Sequence, residues 1–177
     1  MRNSPWGKVQ TSVKIARGIT FVTTAGHGGV LVARGVASKR LSCAARSRGM
    51  AWQGYLAYEE DVAINIIFIE VPEAMAVLYC SATHEEIVKS LSLWIPEYLV
   101  ERGITPDTEA YARYLDRKRD AEMRQARHPN LIVAARGLDS GMVEVYTADD
   151  KIYVVTATSY ESRRCPNLLS DCQVVSP

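Results

Sequence analysis

The sequence predicts an α+β fold: one globular domain over residues 1–177, with a mainly antiparallel sheet and central helices packed on one face of it. Three observations predict this. Strand-like segments cluster at both ends of the chain, helical patterns fill its middle, and hairpin signals mark each strand cluster. Pairing the N-terminal strands with the C-terminal ones in a single sheet is the simplest way to cover the apolar stripes of the helices. With 177 residues, 47% of them hydrophobic and 23% charged, the chain is long and apolar enough to bury a core.

Ser4-Pro5-Trp6-Gly7 is a turn carrying one large aromatic. Val9 to Ala16 alternates in part and reads as an edge or half-buried strand, Arg17-Gly18 turns the chain, and the β-branched run Ile19 to Thr24 returns it as the second half of a hairpin. Ala25-Gly26-His27-Gly28-Gly29 follows, where glycines open backbone conformations closed to other residues and leave the imidazole uncrowded. The spacing of Leu41, Ala44 and Ala45 predicts a helix over 36–48. A loop from Met50 to Ala57 then delivers the chain to Tyr58-Glu59-Glu60-Asp61. The apolar run Val62 to Ile69 behind it must be buried. Its β-branched residues favour a strand and the acids ahead of it favour a helix starting near Glu59, and helix is preferred.

Thr83 and Glu86 make a capping box that opens a helical region over 84–102, interrupted at Pro96 and stopped by Gly103. Thr105-Pro106-Asp107 opens the longest helix, over 107–127, whose apolar face is thin. Leu131 to Ala135 is a strand, and Met142 to Thr147 pairs with Lys151 to Thr156 through Ala148-Asp149-Asp150. Residues 163–177 lack periodicity and read as an irregular tail.

Composition narrows the function classes. A net charge of +1 removes any global electrostatic case for nucleic acid, so such a role needs a local patch. No apolar stretch is long enough for a membrane span and the N-terminal residues lack a signal-peptide core, so a cytoplasmic protein is expected. Cys43 and Cys80 read as reduced core residues, while Cys165 and Cys172 lie in the polar tail; none has the paired spacing of a zinc site. No metal or cofactor is assigned.

His27, Glu59, Glu60 and Asp61 are the candidate catalytic residues, the pieces of either a metal site or a general acid/base pair. The plainer reading is that the acids complement a helix N-terminus and the glycines make a tight turn. No nucleophile elbow, phosphate loop or dinucleotide fingerprint is present. Arg113, Arg117, Lys118, Arg119, Arg124 and Arg127 give the long helix a basic face, set against Asp116, Asp120 and Glu122. That face suits an acidic protein surface or a phosphate backbone, or is simply solvated and laced with intrahelical pairs. Arg46 and Arg48 beside Trp52 have the composition of an interface hot spot, or of a core tryptophan with solvated arginines.

Taken together, Ser4-Pro5-Trp6-Gly7 with Gln10, Thr24-Ala25-Gly26-His27-Gly28-Gly29, and Tyr58-Glu59-Glu60-Asp61 with its apolar run resemble an uncharacterised domain family of tailed-phage, prophage and plasmid proteins. Gly141-Met142-Val143 and the Tyr160 to Arg163 segment fit the same pattern. Gly26 stands where that family usually has serine, and Ala57 where it usually has tryptophan. The resemblance implies mobile-element origin and carries no activity. Small phage proteins without a catalytic motif often act by blocking host proteins, so the leading expectation is an anti-CRISPR-like inhibitor that binds a bacterial host or defence protein. The alternatives are a hydrolase or nucleic-acid-modifying enzyme using His27 with Glu59, Glu60 or Asp61, and a small nucleic-acid-binding accessory protein using the basic helix.

Overall fold

Val30, Leu31 and Val32 have no exposure to solvent, and the strand that carries them is the middle one of a five-stranded antiparallel sheet. A strand covered on both faces has no polar side to show, which is why this segment lacks alternation in the sequence. The computed structural model describes residues 3–138, 141–162 and 167–176. By its internal contacts the chain divides into two units, Met1–Tyr114 and Leu115–Pro177.

The first unit opens with a short ladder of β1 (Asn3–Ser4) and β2 (Gly7–Lys8), which closes the Pro5-Trp6 turn. Next come β3 (Thr11–Ala16), β4 (Ile19–Thr23), β5 (Gly28–Ala33), α1 (Arg34–Arg40), α2 (Cys43–Arg48), β6 (Met50–Trp52) and β7 (Tyr55–Glu59). The helices α3 (Ile64–Glu70), α4 (Glu73–Val77), α5 (His84–Trp94) and α6 (Pro96–Glu101) complete it, and the boundary between units falls inside α7 (Thr108–Arg127). The sheet order is β3-β4-β5-β7-β6, every neighbouring pair antiparallel. Alternation sorts its side chains. Val30, Val32 and Tyr58 face the helical layer, packing with Ile66, Ile67, Leu91 and Leu99, while Val22, Leu31 and Ala57 face a smaller cluster formed by Trp6, Val9, Trp52 and Tyr55.

Local signals translate directly. The Thr83 hydroxyl accepts from the Glu86 N–H at 3.2 Å and the Glu86 carboxylate accepts from the Thr83 N–H at 2.7 Å, so the capping box forms in full. The apolar run is helical, yet it begins at Ile64 with no acid in its first turn. Glu59 instead ends β7, and Glu60 and Asp61 occupy the turn that follows.

Four further expectations need correction. Cys43, expected in the core, is exposed at the start of α2. The stretch from Met50 to Ala57 is not a loop but a hairpin, turned at Gln53 and Gly54 with φ of 40° and 85°, the left-handed pair that matches strand twist. The helix over 36–48 is broken at Leu41-Ser42, and the Ser42 hydroxyl caps α2 by accepting from the Ala45 N–H at 3.1 Å. The N- and C-terminal strands do not share a sheet, although the α+β class and the antiparallel pairing hold. With β6 and β7 added, the first 59 residues already supply the sheet that covers the helical layer, so the C-terminal strands are not needed there.

Those strands build the second unit's own sheet. Its members β8 (Ile132–Leu138), β9 (Met142–Thr147), β10 (Ile152–Thr156) and β11 (Val174–Ser176) run in the order β11-β10-β9-β8. Helix α8 (Ala157–Glu161) and a 3-10 turn at Leu169–Asp171 lie between β10 and β11 in sequence, and Val143, Val145 and Val155 pack with Tyr160 and Leu169. β11 thus orders part of the stretch that lacks periodicity, while Arg163 and Cys165 lie outside the described residues. No helix among the described residues is long and apolar enough to cross a membrane.

One carboxylate holds the helical layer to itself. Glu70, at the end of α3, has only 4% of its side chain exposed. It accepts from the Ser42 hydroxyl at 2.6 Å, the Ser42 N–H at 2.9 Å, the Tyr98 hydroxyl at 3.0 Å and Arg102 Nε at 2.8 Å. Burial alone would raise its pKa, but the Ser42 bonds, the Tyr98 bond and the Arg102 charge outweigh it and hold the carboxyl below its ordinary value. A folded value below the unfolded one, itself about 4.3, gives stability that is present above that pH and lost as pH falls through the folded value. Glu70→Gln is therefore expected to lower the unfolding free energy by about 2 kcal/mol at neutral pH. Urea unfolding should show that gap closing below about pH 4; a gap independent of pH would contradict the account.

Candidate functional site

The three sequence motifs meet at one end of the five-stranded sheet, where β5 begins and β7 ends. Gly29 lies opposite Val22 on one side and Glu59 on the other. A Cβ added at Gly29 would overlap the Tyr58 carbonyl and stand 2.5 Å from the Trp6 ring, so the indole sits directly on the glycine. Only a residue without a side chain allows this approach. Ser4 orders the turn that presents the ring: its hydroxyl donates to the Gly7 carbonyl at 3.1 Å and accepts from the Trp6 N–H at 3.3 Å.

The His27 loop is closed by Thr24. The Thr24 N–H donates to the His27 carbonyl at 2.8 Å, and its hydroxyl lies 2.7 Å from the same oxygen while accepting from the His27 N–H at 3.2 Å. The same hydroxyl is 3.2 Å from the Trp6 carbonyl, which ties the loop to the first motif. The β7 end is fixed from its own side. The Glu60 N–H donates to the Gly28 carbonyl at 3.1 Å, and the Asp61 N–H donates to Glu59 Oε2 at 3.1 Å.

These constraints bring His27, Glu59 and Glu60 together. His27 Nδ1 is 3.7 Å from Glu59 Oε1, and one ligand-type atom from each of the three residues lies within 4.8 Å of the others. Asp61 is next to the cluster in sequence, but its carboxylate is not one of the converging groups. The histidine side chain is 64% exposed and that of Glu59 33%, so the cluster faces water at the sheet end. A His–carboxylate separation of 3.7 Å is too long for a hydrogen bond and suits either a loose ion pair or two groups that share a small third partner.

The basic residues fall into two sets. Arg113, Arg117, Lys118, Arg119, Arg124 and Arg127 are all exposed on α7, whose only fully buried residue is Ala110. Arg113 pairs with Glu109 at 2.5 Å, Arg119 pairs with Asp116, and Arg124 Nε donates to the Asp120 carbonyl at 3.3 Å. The others are engaged with their own unit. Arg46 donates to the Leu41 carbonyl at 2.6 Å, Arg48 holds Glu101 through two bonds of 2.9 and 2.8 Å, and Trp52 packs with Val22, Leu31 and Ala57 beside Tyr55.

Sequence reasoning singled out His27 and the acids but missed what positions them, namely Thr24 and the contact between Trp6 and Gly29. The glycine contact yields a prediction. Gly29→Ala is expected to destabilise the protein by about 3 kcal/mol, because one of the atoms in the way is backbone. Gly26→Ala, whose added methyl meets nothing within 4 Å, should stay within about 0.5 kcal/mol of the parent in the same denaturant titration. Equal effects would remove the close approach from the account.

Residues 1–127 match the model of a family described as Domain of unknown function (DUF7007). The match takes in all three motifs and the whole of α7, and ends before β8; Gly141-Met142-Val143 and Tyr160 to Arg163 lie outside it. No curated protein and no solved structure matches the chain.

Proposed function

The chain belongs to the DUF7007 family, and from that premise we propose that it is a mobile-element protein that acts by binding, an anti-CRISPR-like inhibitor of a bacterial host or defence protein in the host cytoplasm. The observation that carries the reading is the outer half of α7. From Asp116 to Arg127 every residue except Ala121 is exposed, and five of the twelve are Arg or Lys against three acids. Such a face packs little of its own unit and offers several cations side by side to an acidic partner surface, where they act together and steer association. The pairs Arg113–Glu109 and Arg119–Asp116 do not oppose this, since exposed ion pairs contribute about 0–1 kcal/mol and release their arginines readily. Arg46, Arg48 and Trp52 would add less, their polar groups and ring being engaged internally.

A second reading is favoured by a different observation, the approach of His27 to Glu59 and Glu60, which would serve a hydrolase or nucleic-acid-modifying enzyme. Its cluster is open to water, whereas general acid/base chemistry gains from exclusion of water, and this places the enzyme reading second.

One experiment separates the two. Reversing charge at Arg117, Arg119 and Arg124 together is expected to leave the melting temperature nearly unchanged and to abolish protection in a phage-survival assay on defence-bearing hosts. His27→Ala with Glu60→Ala is expected to change protection less. Full protection in the charge-reversed variant with complete loss in the His27/Glu60 variant would replace the inhibitor by an enzyme. Binding of the unmodified protein to duplex DNA with a steep salt dependence would instead identify a phosphate backbone as the partner of the helix.

A further inference from the structure

We propose that His27, Glu59 and Glu60 form a binding site for a first-row divalent transition-metal ion, independently of the docking role of α7. One imidazole nitrogen and two carboxylate oxygens are a mixed donor set of the kind that suits zinc, manganese or cobalt better than calcium or magnesium, which take oxygen donors throughout. The donor atoms already lie within 4.8 Å of one another, and His27 Nδ1 is 3.7 Å from Glu59 Oε1. Two ligands about 2.1 Å from a tetrahedral ion stand about 3.4 Å apart, so a small rotamer adjustment closes the set around an ion.

The backbone builds this arrangement. A Cβ on Gly28 would stand 2.5 Å from Glu60 Oε2, so the glycine is what lets that carboxylate fold back over the start of β5 towards the His27 loop. The Glu60 N–H is anchored on the Gly28 carbonyl, and Glu59 Oε2 is occupied by the Asp61 N–H, which leaves Oε1 turned to the imidazole. Thr24 fixes the main chain of His27 on the other side. Three protein ligands at a water-exposed sheet end leave further coordination positions to water, the arrangement of an open site and not of a closed structural one.

The test is calorimetric titration of the full chain with zinc chloride near neutral pH, after removal of adventitious metal, for the parent protein, His27→Ala and Glu60→Gln. Manganese chloride is then added to the parent protein while amide resonances are recorded. The site predicts that each substitution weakens zinc binding about tenfold or more. It also predicts that manganese broadens the amides of residues 27–29 and 59–61 before those elsewhere in the chain. His27 is exposed and Glu60 half-buried, and far-ultraviolet circular dichroism checks that each variant stays folded. No zinc binding by the parent protein below about 1 mM, or zinc binding unchanged in both variants because cysteine thiols take the ion, would overturn the proposal. Manganese broadening centred elsewhere would also overturn it.

Discussion

At Gly29 two strands and an indole ring meet with no room for a side chain, and much of the first unit follows from that contact. The Trp6 ring lies where a Cβ would project, and the Tyr58 carbonyl of the adjacent strand closes the other side. Because β5 is the middle strand, fixing its start fixes its partners: β4 is aligned through Val22 opposite Gly29, and β7 through Glu59 opposite Gly29. A one-residue slip of β5 that brought Val30 to the ring would put a side chain against it and move Leu31 into the helical layer, and a one-residue slip of β7 would do the same to Ala57. The polar side chains at this end of the sheet are therefore held by backbone pairing, and they converge although they come from segments some thirty residues apart.

The helical layer depends on a second constraint of a different kind. Glu70 gathers donors from the α1–α2 junction, from α6 and from Arg102, while the buried Tyr58 hydroxyl donates to the Ala45 carbonyl at 2.9 Å and joins the sheet to α2. Burial, reinforced by the Glu70 charge, pushes the phenols of Tyr58 and Tyr98 far above their ordinary range, so both remain donors throughout the accessible pH range. A buried carboxylate is costly unless every oxygen is satisfied, and here its donors come from elements that apolar packing alone would not orient relative to one another.

How much of this the sequence discloses depends on how local each cause is. The capping box at Thr83 and Glu86, the stop at Pro96, the N-terminal hairpin and the hairpin through Asp149 and Asp150 are set by residues within a few positions of each other, and they read correctly. The β6–β7 hairpin is missed because its turn is Gln53-Gly54, where the usual signal is Asn or Asp before glycine. The break between α1 and α2 is missed because Ser42 is held by Glu70, far along the chain. Which strands share a sheet is the least legible, since each hairpin completes its own bonds and carries no mark of its neighbours. The approach of His27 to Glu59 was inferable because glycine-flanked loops and the polar ends of buried strands both gather where sheets end; the indole on Gly29 that makes it rigid was not.

The end of the sheet is fixed by close packing at Gly29, whereas the second half of α7 faces solvent, and the two features have separate physical causes. The most direct test of that packing is a nuclear Overhauser measurement on labelled protein between the indole ring protons of Trp6 and the α-protons of Gly29. Strong cross-peaks between them, together with the cross-strand contacts from Gly29 to Val22 and Glu59, are the predicted result. Intact cross-strand contacts with no signal between Trp6 and Gly29 would contradict it.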